Sequence, residues 1–139
     1  MNSVSAVAPR GLHLTGDQVE SVIAQACPAA SYAGKRVLLI VPDGTRTAPV
    51  GLIFQAVHRH IGSVTGTFDV LVALGTHQPM SEAAICERLA ITEAQHRDIY
   101  RGVRFFNHQW DDPSALKNIG SISAPEISQL TNEIGRAHV

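Results

Sequence analysis

Three loops hold the side chains of this 139-residue chain whose types and spacing suit chemistry. In the first, Pro42, Asp43, Gly44, Thr45 and Arg46 follow the apolar run Leu38–Val41. A guanidinium presents a planar fork that pairs with a carboxylate or phosphate through two hydrogen bonds. Arg46 is therefore a candidate anion clamp, and Asp43 a candidate to orient it or a histidine. Thr45 can donate to an anion or cap the helix that follows, and Asp43–Gly44 is also ordinary turn chemistry. In the second loop, Gly75, Thr76 and His77 follow another apolar run. Gly75 would let backbone approach a ligand, Thr76 can bond a phosphate, and His77 can exchange a proton near neutral pH. The third loop, Asn107-His108-Gln109-Trp110, carries a weaker version of the same pattern.

These loops are informative because of the elements that must carry them. "RVLLIV", "TFDVLVAL" and "VRFFN" read as strands, and the first is apolar on consecutive positions, as in parallel strands covered on both faces. Between them the spacing predicts helices: "VGLIFQAVHRHI" after Pro49, "EAAICERLA" capped by Ser81, and "TEAQHRDIY" capped by Thr92. Upstream, "DQVESVIAQA" predicts a helix with Asp17 as N-cap, stopped by Pro28; residues 1–16 read as an extended arm. The alternation implies an α/β, Rossmann-like parallel sheet with right-handed crossover helices, doubly wound. In such a sheet the loops after the strands gather on one edge, where ligands bind. Asp43, Thr45, Arg46, Thr76, His77, Asn107 and His108 are then candidates for one cleft.

Composition narrows the class. A formal charge of −1 and a pI near 6.6 give no electrostatic footprint for nucleic acid. No stretch approaches the ~20 apolar residues of a membrane span, and no signal-peptide pattern opens the chain. Cys27 and Cys86 stand far apart, which suits two reduced thiols in a cytoplasmic protein rather than a disulfide or a zinc site. His13, His58, His60 and His96 are expected on solvated faces. No "GxGxxG" or Walker loop is present.

At "DGTR", "ALGTHQPM" and "NHQWDDPSALKNIG" the sequence resembles the N-terminal domain of the nickel-dependent lactate racemase family, from about Arg36 to Asn132. Thr47 and Gln78 stand where that family usually has proline and arginine. The resemblance implies a 2-hydroxyacid racemase or epimerase, an isomerase working by reversible hydride transfer to a nickel–pincer nucleotide. It implies Arg46 as the clamp on the substrate carboxylate and His77 as the base at the substrate hydroxyl. Asp43, Thr45, Gly75 and Thr76 take supporting or cofactor-phosphate roles. The attachment lysine, a nickel-ligating histidine and a second acid/base histidine would lie downstream, so this segment supplies no metal ligand and by itself is expected to be inactive. Two alternatives remain: a non-enzymatic small-acid-binding domain, and a relative with other hydroxyacid redox chemistry. Residues 1–133 are expected to form a truncated N-terminal domain. "IGRAHV", residues 134–139, matches the translation of a common sequencing adapter and is expected to be a non-native tail.

Overall fold

The structure is a computed structural model and describes residues 4–131. The suspected tail at 134–139 lies outside the described residues. The chain divides between His108 and Gln109 into two compact bodies.

The first body is built on three parallel strands in the order β1 (Arg36–Pro42), β2 (Thr67–Ala73) and β3 (Arg104–Asn107). Leu39 sits opposite Val70, which sits opposite Phe105, and Leu38 opposite Asp69, which sits opposite Arg104. Connecting them are α2 (Val50–Ile61) and the pair α3 (Glu82–Arg88) and α4 (Glu93–Asp98), while α1 (Gly16–Ala26) precedes β1. A short 3-10 turn at Ala29–Ser31 joins α1 to β1. The α2 bounds coincide with the run that the sequence predicts. Those of α1 do not. Thr15, not Asp17, is the N-cap: it accepts from the Gln18 N–H while the Gln18 side chain accepts from the Thr15 N–H. This reciprocal pair satisfies two orphan donors, more than Asp17 would.

The core lies between the sheet and the helices. Phe54, Val57 and Ile61 of α2 meet Val41, Phe68, Val70 and Val72, and Ile85, Cys86 and Leu89 extend the same cluster under β2 and β3. On the opposite face Leu38 and Ile40 are 52% and 61% exposed. So within this body the sheet is covered on one face, not both, and the doubly wound expectation fails there. The cause is topological: strand order β1-β2-β3 with right-handed crossovers puts every connecting helix on one side. On the open face Arg104 donates through Nε and Nη2 to both carboxylate oxygens of Asp69, at 2.9 and 2.6 Å, tying β3 to β2. That guanidinium also lowers the pKa of Asp69 below the ordinary carboxylate value.

Three of the four histidines expected in solvent are not there. His58 is half-buried against Phe54, Phe68 and Tyr100, and burial lowers its pKa. The Nε2 of His60 is buried. His96 stacks on Phe105 and bonds Glu82 and the Val103 carbonyl. Only His13 is exposed.

The end of α3 controls how α2 docks. After Leu89, the Ile91 N–H bonds the Cys86 carbonyl and the Ala90 N–H bonds the Glu87 carbonyl, a Schellman ending with Ala90 at φ +53. Gln55 of α2 donates to the Leu89 and Ala90 carbonyls, and Gly51 permits the approach. A Cβ on Gly51 would lie 2.5 Å from the Ala90 Cβ and 2.9 Å from the Leu89 oxygen. Ala90→Gly should therefore raise stability by about 1 kcal/mol, since glycine adopts positive φ without steric penalty. Gly51→Ala should lower it by about 1–3 kcal/mol through overpacking. In the double variant the loss should be smaller than the sum, because one of the two clashing atoms is gone. Urea denaturation of the four proteins checks this; strict additivity would refute the proposed contact.

The second body contains α5 (Ala124–Thr131), which the sequence reading passes over. Its start was legible, because Ser123 and Glu126 make the Ser-x-x-Glu pattern and bond each other.

Candidate active site

The ends of β1 and β2 are paired through Pro42 and Ala73, so the loops beyond them leave the sheet side by side. A cavity of about 350 Å³ opens between them. Asp43, Thr45, Arg46, Gly75 and His77 line it, with Leu74 and Pro42 as its apolar wall. Two strands paired in parallel thus bring together residues some thirty positions apart.

Asp43 is the hub. Although it sits in a loop it is only 6% exposed. Its Oδ1 accepts from the Thr45 hydroxyl at 2.6 Å and the Thr45 N–H at 3.1 Å. Its Oδ2 lies 2.5 Å from Nδ1 of His77. The Thr45 hydroxyl first, and His77 second, lower the Asp43 pKa to about 2. An ionised carboxylate accepts only, so Asp43 requires a proton on Nδ1 of His77. The imidazole is therefore oriented, and proton exchange with a bound molecule would run through Nε2. The His77 side chain is 57% exposed and accessible to a small ligand. Thr45 holds the acid rather than an anion.

Arg46 extends from the same loop into the cavity rim, exposed, and its side chain forms no ion pair among the described residues. On the other loop the His77 N–H donates to the Leu74 carbonyl and closes a turn in which Gly75 has φ +60. A glycine is suited to that position. Thr76 is exposed and does not line the cavity.

The third loop contributes support. Asn107 accepts from the Met80 N–H at 3.0 Å and donates to the Met80 carbonyl at 2.9 Å, so β3 fastens the loop that carries His77. The His108 N–H bonds the Val72 carbonyl. Neither residue lines the cavity of Asp43, Arg46 and His77, so the cleft draws on two loops rather than three. Arg88, at the end of α3, was missed. It donates from Nε to the Pro42 carbonyl at 3.1 Å and from Nη2 to the Arg46 carbonyl at 2.8 Å. Nothing local distinguishes it from the basic residue that commonly ends a helix.

A larger cavity, about 540 Å³, lies beside α4 and β3 and is lined by His96, Arg97, Arg101 and Arg104 among others. Most of its polar side chains are bonded internally, His96 with Glu82, Arg97 with Glu93 and Arg104 with Asp69, so its size does not make it the better site.

A parallel α/β sheet with an arginine and an acid-held histidine at the carboxyl ends of its strands makes this cavity a candidate small-anion site of the α/β class. Comparison narrows this further. Residues 17–135 match the lactate racemase N-terminal domain, and the chain belongs to that family. It is similar to a crystal structure of a protein from Thermotoga maritima, with 26% identity and a TM-score of 0.71 over 86% of this chain. The match spans 27% of that longer chain. No curated protein matches.

Proposed function

We propose that this segment is the substrate-binding portion of a nickel-dependent 2-hydroxyacid racemase or epimerase. The observation that carries the reading is the shared cavity of Arg46 and the Asp43–His77 pair. A 2-hydroxyacid has a carboxylate and, one carbon away, a hydroxyl. Arg46 takes the carboxylate through its fork, and His77 accepts the hydroxyl proton at Nε2. Asp43 stabilises the imidazolium that results. Removing that proton raises electron density on the carbinol oxygen, which would ready the adjacent carbon for oxidation by a redox group held outside this segment.

The described residues do not fit the nickel–pincer nucleotide that the resemblance implies. They contain no group of three potential metal ligands. Lys35 sits before β1, its carbonyl bonded to Gly66 and Thr67, at the sheet edge remote from the cavity. Lys117 belongs to the second body. The redox group is therefore assigned to other polypeptide of a longer enzyme. A cytoplasmic setting suits this reading, with Cys27 and Cys86 both free. Among the described residues no helix is long and apolar enough to cross a membrane.

A racemase must hold both enantiomers by the same two groups. Titrating the ¹⁵N-labelled chain with D-lactate, L-lactate and propionate tests this. Both lactates should shift the Arg46, Gly75 and His77 signals, with affinities within about 10-fold of each other, and propionate should bind more weakly. Binding of one enantiomer alone, or of none, would overturn it. Chiral analysis after D-lactate meets the nickel-loaded family enzyme that contains this segment checks the reaction class.

A further inference from the structure

We propose that Arg88 is a positioning residue: it fixes the loop of Arg46 so that the guanidinium and His77 engage one ligand together. This rests on the function proposed above for the cavity, and adds the device that sets its dimensions.

One guanidinium bonds the carbonyls at both ends of the five-residue stretch Pro42–Arg46, at 3.1 and 2.8 Å. Nε and Nη2 are adjacent donors of one rigid plane, so the two carbonyls are held at a fixed separation. Inside that clasp, Asp43 gathers Thr45 and His77. The loop is therefore defined from both sides, by a cation outside and an acid inside.

The origin of Arg88 matters as much as its contacts. It ends α3, and the N-cap of α3, Ser81, stands four residues after His77. The residue before Ser81, Met80, is the one that Asn107 grips by both its N–H and its carbonyl. At the other end of α3, Gln55 and the close approach of Gly51 fix Leu89 and Ala90. A two-turn helix, secured at both ends, thus links the His77 loop to the Arg46 loop. Sheet pairing places the two loops as neighbours; the Arg88 clasp sets how far apart their side chains stand. A lysine keeps the charge but lacks the planar fork, so Arg88→Lys should not restore the geometry.

The test compares Arg88→Ala, Arg88→Lys and the unaltered chain by two readouts. The first is amide hydrogen exchange at 43–46 against that of Phe54, Val70 and Leu89 in the core. Loss of the clasp should speed exchange in the loop at least 10-fold and leave the core amides unchanged. The second is the ratio of lactate to propionate affinity. Propionate needs only Arg46, whereas lactate needs Arg46 and His77 at a fixed separation. The ratio should fall by about 10-fold, towards one, in both variants. A merely structural arginine would weaken the core and leave the ratio alone. Uniformly faster exchange throughout the body, or an unchanged loop and ratio, overturns the proposal. If the unaltered chain does not prefer lactate, the functional reading fails, and the loop amides alone decide for or against the clasp.

Discussion

Replacing Arg46 by alanine should weaken lactate binding on the order of 10–100-fold, the effect of removing two charge-assisted hydrogen bonds from an accessible site. The fold should be indifferent to the change. The Arg46 side chain is exposed, and its contribution to the loop is its carbonyl, which any residue provides to Arg88. Arg46→Lys should fall between the two, because an ammonium restores the charge without the bidentate geometry. Calorimetric titration with lactate, beside a thermal melt of each variant, separates binding from stability. Unchanged affinity with an intact melt would remove the carboxylate clamp from the mechanism and leave the cavity without a reason to select acids.

Asp43→Asn should have the second large effect, and it should fall on proton transfer rather than on binding. The carboxylate faces Nδ1 of His77 at 2.5 Å and so demands an N–H there, which leaves Nε2 basic in the neutral ring. An asparagine amide can instead donate to Nδ1, which puts the ring proton on Nε2 and removes the lone pair that would accept from a hydroxyl. Turnover in the enzyme that contains this segment should drop about 10²–10⁴-fold, while propionate, which needs only Arg46, binds nearly as before. Ring ¹⁵N shifts of His77 report the tautomer directly, and an unaltered tautomer in the variant would refute the orienting role.

The same carboxylate makes a pH prediction. Its folded pKa is depressed from 3.8 to about 2, chiefly by the Thr45 hydroxyl and then by His77. A depressed carboxylate stabilises the fold above its unfolded pKa, and the contribution disappears as pH falls through the folded value. The stability difference between the unaltered chain and Asp43→Asn should thus be constant above about pH 4 and shrink towards about pH 2. A difference that instead grew on acidification would mean the carboxyl is protonated more readily in the folded chain than in the unfolded one.

The candidate site residues were legible because the signal that marks them is local. An abrupt change from apolar strand to Asp43, Thr45 and Arg46 needs no tertiary information to notice, nor does the glycine-hydroxyl-imidazole sequence at 75–77. Periodicity likewise delivered the span of α2, whose buried residues Val50, Phe54, Val57 and Ile61 recur at helical spacing. Some signals were present and misread: Thr15 with Gln18 and Ser123 with Glu126 are both capping patterns, one overruled by Asp17 and the other overlooked.

What the sequence determined by itself was therefore the kind of the strands and of the helices between them, and the identity of the groups at the strand ends, since both follow from neighbours within a few residues. Only the tertiary structure decided which groups meet. It gave Thr45 to Asp43, turned Asp43 on His77, diverted Asn107 to the Met80 backbone and brought Arg88 to two carbonyls more than forty residues away. Within the first body it also left one face of the sheet without a helix, because strand order governs the side on which helices fall. Strand order and hydrogen-bond partners depend on contacts between distant segments, and hydrophobic periodicity carries no record of them.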